Sequence, residues 1–365
     1  MEEESWIFVF PYLQITETVA CGGWVLEQIR RKDLRRKQSP DARDLLTIFD
    51  RHYNHRGKPI QTAVVARRTG PRWSSAQERN LHIDALQTAV TYSVLDANAK
   101  STNAIDWRNP SLEAATAEAA ILSVTPKAAL RGGATIERGG AIYSKLVHGL
   151  GTLVVQSAPE GLIYSPVMAL DQELMQAVFE NAVTADSGEA GSEHREIHAA
   201  IYWFIRAWDN SPMHKMPDIL VKLKTSLEAL SGQSSTEKGA KVLRAVYSQG
   251  ASLPGGEDLL WKASEKTFER TRSNGQVSPV GHFDHWFWNL ADTRNSIVHD
   301  THDPQMKYEA ENSPFEGNIF EIAERVCREL IKVRLSQQDR PNLLTSRLHR
   351  QILEKIESLG VLSEV

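Results

Sequence analysis

The chain has 365 residues, 41% of them apolar and 24% charged, with a formal net charge of -4; this is the profile of an ordinary globular protein long enough for two domains. The negative balance excludes nucleic-acid binding through bulk positive charge, because non-specific affinity comes largely from neutralising phosphates, so any such contact has to be local. The two cysteines, Cys21 and Cys327, fall in separate predicted domains, which argues against a disulfide framework or a cysteine metal site and fits a reducing cytoplasm.

The first residues, Met1-Glu2-Glu3-Glu4-Ser5, are acidic and lack the basic region of a signal peptide. No apolar run approaches the roughly 20 residues of a membrane-spanning helix, so no membrane partner is expected. Trp6-Ile7-Phe8-Val9-Phe10 reads as a buried strand. The basic run Arg30-Arg31-Lys32-Asp33-Leu34-Arg35-Arg36-Lys37 reads as a solvated helix face or loop, with enough charge to steer a polyanion. Ala63-Val64-Val65-Ala66 is a weaker strand. A helix is predicted from Ser75 to Asn98, capped by Ser74 or Ser75, with Leu81, Ala85, Ala89 and Val94 as its apolar stripe. The glycines of Arg131-Gly132-Gly133 and Arg138-Gly139-Gly140 read as hairpin turns, because neither Gly-Lys-Ser/Thr nor Gly-x-Gly-x-x-Gly is present. Gly151-Thr152-Leu153-Val154-Val155 and, more weakly, Gly161-Leu162-Ile163-Tyr164 complete a mixed α/β domain over residues 1–183. The small, polar and acidic stretch from Thr184 to Ser192 suits an exposed linker, bounded at 184–193.

Beyond the linker the strand signals nearly vanish. Helices are predicted from His198 to Trp208, Pro217 to Ser231, Glu237 to Gln249, Gly256 to Arg270, Phe283 to Asp300, Phe315 to Leu335 and Leu343 to Leu359, separated by Gly-, Pro- or Asn-rich breaks. The expected architecture is α+β overall: the mixed domain, then an all-α bundle at 194–340 and a last helix at 341–365. His194 and His198 have the spacing of a helical zinc pair, but Arg195 stands where His-Glu-x-x-His has its glutamate. His282, His285, His299 and His302 form two His-x-x-His pairs. About 21 Å of helix separates His285 from His299, too far for one ion, so no metal or other cofactor is expected.

The informative stretch is Arg294-Asn295-Ser296-Ile297-Val298-His299. Arginine stays charged and grips phosphate oxygens in a fork, while histidine exchanges protons near neutral pH. At about 100° per residue, Trp288, Asp292, Asn295 and His299 share a polar stripe, and Phe283, Trp286, Leu290 and Ile297 gather on a core side. Arg294, about 140° from His299, is likewise expected clear of the core. The residues alone leave alternatives open: Arg294 and His299 can simply offset the helix macrodipole, Trp288 can pack in a core or dimer, Asp292 can be solvated, and Glu228 can sit in a local salt bridge.

Three segments resemble one family. Arg294 to His299, led in by Trp288-Asn289-Leu290-Ala291-Asp292-Thr293, is similar to the Arg-x4-His motif of the HEPN ribonucleases and the helix before it. Ser226-Leu227-Glu228-Ala229-Leu230-Ser231-Gly232 resembles an upstream helix of ApeA-like HEPN domains, and Leu243-Arg244-Ala245-Val246 falls where their next helix starts. The resemblance covers roughly residues 194 to 337 and implies a HEPN-like bundle with metal-independent endoribonuclease activity by 2′-hydroxyl attack. Arg294, Asn295 and His299 would be catalytic, with Asp292, Trp288 and Glu228 in support. It further implies a homodimer with a shared site, tRNA or other cellular RNA as substrate, and a setting in bacterial anti-phage defence with a phage-derived trigger. Residues 1–183 would then be a sensor or substrate-positioning domain. The alternative is a non-catalytic HEPN-fold module that binds RNA or dimerises.

Overall fold

The computed structural model describes residues 5–37, 40–54, 56–69, 73–101, 118–124, 133–138, 141–146, 167–187, 191–208, 216–233, 235–252, 267–271, 275–299, 319–337 and 343–344. Within them the protein is mixed α+β. It divides into two compact units, Met1–Val183 with Trp208–Ser211, and Thr184–Ala207 with Pro212–Val365. Among the described residues no helix is long and apolar enough to cross a membrane.

In the first unit, strand β1 (Ser5–Phe10) is apolar at successive positions, and Ile7 to Phe10 are all buried. A strand buried on both faces belongs inside a sheet. β1 pairs antiparallel with β5 (Thr62–Arg68) on one side and β6 (Glu118–Val124) on the other. The sheet extends outward through β4 (Trp24–Arg30) and β3 (Val19–Cys21) at one edge, and through β7 (Gly133–Arg138) and β8 (Ala141–Leu146) at the other, giving the order β3-β4-β5-β1-β6-β7-β8. The pair β7–β8 flanks Gly139-Gly140 as an antiparallel hairpin. A short parallel pair joins β2 (Gln14–Ile15) to β9 (Val167–Met168). Gly151 to Val155 and Gly161 to Tyr164 lie outside the described residues.

One face of the sheet packs Ile7, Val9, Ala63 and Val65 against Leu45, Ile48 and Phe49 of α2 (Pro40–Arg51). The basic run forms the end of β4, the single turn α1 (Arg31–Leu34) and the residues after it, with Leu34 in the core. Helix α3 (Ala76–Ser101) starts where Ser75 Oγ accepts from the Glu78 amide at 3.0 Å, while the Glu78 carboxylate accepts from the Ser74 amide and hydroxyl at 2.6 Å. This side-chain satisfaction of orphan amides is what fixes a helix start. Near it Arg68 lies over the Trp73 ring at 4.3 Å, and His82 meets Phe179 edge-on.

Phe179 belongs to α4 (Gln172–Asp186), which Asp171 caps through the amides of Glu173 and Leu174. The turn between β3 and β4 closes onto this helix: the Gly22 amide donates to Gln176 Oε1 at 2.8 Å, and Cys21 Sγ donates to the Met175 carbonyl. Helix α4 runs to Asp186, and α5 (Ser192–Ala207) starts at Ser192. The segment expected to be a linker at 184–193 is therefore partly helical at both ends. Thr184 to Asp186 finish a turn whose Ser187 hydroxyl and amide both bond the Thr184 carbonyl.

The second unit packs α5, α6 (Met216–Ser231), α7 (Thr236–Ala251), α8 (His282–His299) and α9 (Ile319–Ser336). Ser226 Oγ of α6 donates to the Ala200 carbonyl of α5, Cys327 Sγ of α9 donates to Leu223 O of α6, and Tyr247 of α7 stacks on Phe283 of α8. The all-helical expectation is corrected here. Thr267 to Arg270, assigned to a helix from Gly256, form strand β10 (Thr267–Thr271), which pairs antiparallel with β11 (Val277–Gly281). Asn274-Gly275, with Gly275 at φ +79°, lies between two alternating runs and is a hairpin signal. Of the predicted last helix only Leu343 and Leu344 are described, in a turn; the rest lies outside the described residues.

Gly22 tests the clasp between the β3–β4 turn and α4. Its φ is +54°, and a Cβ there would stand 2.1 Å from a Phe179 ring carbon. Gly22→Ala is expected to cost on the order of 2–5 kcal/mol, combining left-handed strain with overpacking. Gly57→Ala, at φ +66° with open space around it, should cost about 1 kcal/mol from the backbone alone. Urea unfolding of the two variants checks this; equal losses would show that Phe179 does not seat on the turn.

Candidate active site

Helix α8 follows the hairpin directly. Asp284 in its first turn pairs with Arg244 of α7. Burial raises the Asp284 carboxyl above its ordinary value, and the Arg244 guanidinium opposes that shift. Phe283, Trp286, Phe287, Leu290 and Ala291 are buried and define the core-facing side at helical spacing. Asn289 Nδ2 lies 3.1 Å from His285 Nε2, and the His285 ring stacks on Phe268 of β10 with centroids 4.4 Å apart. His285 is thus engaged in packing the hairpin on the helix.

The expected polar stripe of α8 falls into two parts. Arg270 of β10 lays its guanidinium over the Trp288 ring at 4.5 Å and donates from Nη2 to Asp292 Oδ2 at 2.8 Å. Asp292, although exposed, is thus held by a side chain of the hairpin. One face of Trp288 is covered by a cation. Asn295, further along the stripe, is exposed, and His299 ends the helix with its side chain outside the described residues, as are all atoms of His302.

Arg294 departs from expectation. It follows Leu290 by one turn and so falls on the core-facing side. It is half-buried; its Nε is buried with no hydrogen-bond partner, and its Nη1 donates to Asn295 Oδ1 at 3.2 Å. The reading of Arg294 as clear of the core is corrected to a place at the seam with α6, where its charge acts on Lys224.

Lys224 is the residue that sequence reasoning missed on α6. Its side chain is 1% exposed, its Nζ donates to Glu228 Oε1 at 2.8 Å, and the ammonium sits 4.4 Å from the Phe287 ring centre. Glu228 thus forms the local salt bridge, and its lysine partner reaches the α8 helix. Arg270 was hidden by the helical assignment of its segment. The alternation Thr267-Phe268-Glu269-Arg270-Thr271 carried the signal, since it sends Phe268 and Arg270 to one face.

Among the described residues no three His, Cys, Asp or Glu side chains gather at metal-binding spacing. His198 Nε2 lies 4.0 Å from Asp186, and the Glu196 carboxylate accepts from Arg334 Nη2 at 3.2 Å. Chemically, the end of α8 offers a half-buried guanidinium beside an exposed amide, groups that can donate to the oxygens of an anion. No protein-family model, curated protein or solved structure matches this chain.

The Lys224 environment makes a prediction with a definite sign. Burial pushes the ammonium below its ordinary 10.5, the Glu228 hydrogen bond and charge oppose this, and Arg294 adds to the lowering. In the window from the depressed value up to 10.5 the unfolded chain holds more protons, so this group's contribution to stability rises with pH and is lost as pH falls. The stability of wild type minus that of Lys224→Met is expected to climb from neutral pH towards 10.5, and less steeply in an Arg294→Ala background. Denaturant titrations across that range read it; a flat difference would contradict the burial of a charged Lys224.

Proposed function

We propose that the second unit is a metal-independent endoribonuclease of HEPN type, and the observation that carries this is the close of α8. Arg294 is half-buried one turn after Leu290 and hydrogen-bonds Asn295, which is exposed, and His299 ends the helix. In the proposed reaction a base takes the proton of the ribose 2′-hydroxyl and the 2′ oxygen bonds to the neighbouring phosphorus. The bond to the 5′ oxygen then breaks, and an acid protonates that leaving oxygen. His299 supplies the proton exchange near neutral pH, Arg294 holds the non-bridging oxygens as charge builds on them, and Asn295 orients one or the other. The nucleophile belongs to the substrate, so RNA is cut and DNA spared.

One histidine cannot serve as base and acid in the same step, which motivates a homodimer that brings a second His299 into the cleft; closed two-fold dimers are the commonest oligomers. The resemblance adds tRNA or other cellular RNA as substrate, a role in bacterial anti-phage defence, and control by a phage-derived trigger through the first unit. A second reading has its own observation. Trp288 and Asp292 are engaged by Arg270, and Glu228 by Lys224, so packing alone accounts for all three supporting residues. That favours a non-catalytic helical module that binds RNA or dimerises.

His299→Ala and Arg294→Ala are each expected to lower cleavage of total RNA at least about 100-fold, the lower range for a lost acid–base group or charge stabiliser, with unchanged circular dichroism and full wild-type activity in excess EDTA. Full activity in either variant removes this site, and loss on chelation restored by one added metal removes the metal-independent mechanism. Mixing His299→Ala protein with wild type should depress activity beyond dilution once subunits exchange. A monomer proven by sedimentation that cleaves at the full rate would end the shared-site proposal.

A further inference from the structure

We infer that Arg270 of the β10–β11 hairpin is a positioning residue of the α8 site: by pairing with Asp292 it cancels a negative charge that would otherwise repel a substrate phosphate at Arg294 and Asn295. The choice of an RNA phosphate as the ligand rests on the ribonuclease reading. Strand β11 ends at Gly281 and α8 begins at His282, so the hairpin is joined to the helix without a loop. Its register sets Arg270 opposite Ser278. Strand alternation puts Arg270 on the same face as Phe268, whose ring stacks on His285, and turns the exposed Glu269 the other way. Arg270 is thereby aimed at α8, where it meets Trp288 and Asp292.

The two partners differ in exposure. The Arg270 side chain is 20% exposed and that of Asp292 60% exposed. An ion pair so open to water adds little to stability, and its consequence lies in the field at the surface beside it. Asp292 and Asn295 stand at i and i+3 on α8, with Cβ atoms about 5–6 Å apart. His299 follows two turns after Asp292, within about 20° of it around the axis. A phosphate held by Asn295 and Arg294 would therefore have Asp292 as its neighbouring carboxylate on the helix. The other acidic residue of α8, Asp284 in the first turn, pairs with Arg244 of α7. Each carboxylate of α8 is thus matched by an arginine from another element, and neither opposes the charge of Arg294. Without Arg270, two negative charges about 6 Å apart would lower the affinity for phosphate about 3- to 100-fold, between the limits of bulk water and of a protein surface.

The test is a double-mutant cycle on Arg270 and Asp292 in the full chain. It is read by cleavage of a fluorescein-labelled single-stranded RNA, and by anisotropy of the same oligonucleotide with every 2′-hydroxyl methylated, which removes the nucleophile. Arg270→Gln is expected to lower kcat/KM and to weaken binding of the methylated probe about 3- to 100-fold relative to wild type. That ratio should shrink between about 0.1 and 1 M salt, as the Debye length falls from about 10 to 3 Å. In an Asp292→Asn background Arg270→Gln should have no further effect, and Arg270→Lys, which keeps the charge, should lose less than Arg270→Gln. A loss that Asp292→Asn does not relieve and salt does not change marks a packing role and overturns the inference, as does wild-type behaviour of Arg270→Gln. Wild type that binds the methylated RNA with this charge coupling but leaves the unmodified RNA intact ends the ribonuclease reading and keeps the role of Arg270 at an RNA site. Cleavage without the coupling does the reverse, and absence of both binding and cleavage overturns the two together.

Discussion

A buried ammonium organises the helical unit. Lys224 enters the interior from α6, where an isolated charge would be too costly to keep, and it survives because Glu228 accepts a hydrogen bond from it at 2.8 Å and the Phe287 ring offers its negative face at 4.4 Å. Those two partners lie on different helices, so satisfying the charge fixes the approach of α8 to α6. One residue earlier the Leu223 carbonyl accepts from Cys327 Sγ of α9, which ties the third helix to the same place. Burial pushes the Cys327 thiol well up from its ordinary value. A protonated, enclosed thiol is a packing group and not a nucleophile.

The hairpin decides which part of α8 remains open. Phe268 and Arg270 alternate onto the helix, one against His285 and the other against Trp288 and Asp292. Their reach ends at Asp292. The exposed amide of Asn295 and the end of the helix at His299 lie beyond it, about 4 and 10 Å further along the axis. The hairpin thus engages the first part of the polar stripe, and the exposed Asn295, bonded to Arg294, lies beyond the residues it holds.

The first unit solves a different problem. A seven-stranded antiparallel sheet with apolar residues on both faces of its central strand needs cover on both sides, and its edges must be ended. At one edge β3 is three residues long, which limits an exposed pairing edge, and its turn is locked to α4 through Gln176 and Met175. The closeness of Phe179 to Gly22 makes that turn intolerant of any side chain.

Strong local signals were readable without coordinates. The continuous apolar run at Ile7 to Phe10, the Ser75 cap of α3 and the helical spacing from Phe283 to Leu290 each express a backbone preference or a burial requirement that holds wherever the segment lies. The β10–β11 hairpin was readable too, from Asn274-Gly275 between alternating runs, but the competing helical pattern from Gly256 obscured it. The partners of the charged side chains were not readable. Angular position on an ideal helix groups Asp292 with His299, yet Asp292 binds Arg270, which arrives from a strand, and Arg294 sits at a seam because α6 packs there. A side chain's reach and its neighbours come from elements distant in sequence. The sequence alone therefore determined which residues can carry charge or exchange protons, while tertiary packing decided which of those charges are spent on structure and which remain at the surface for a ligand.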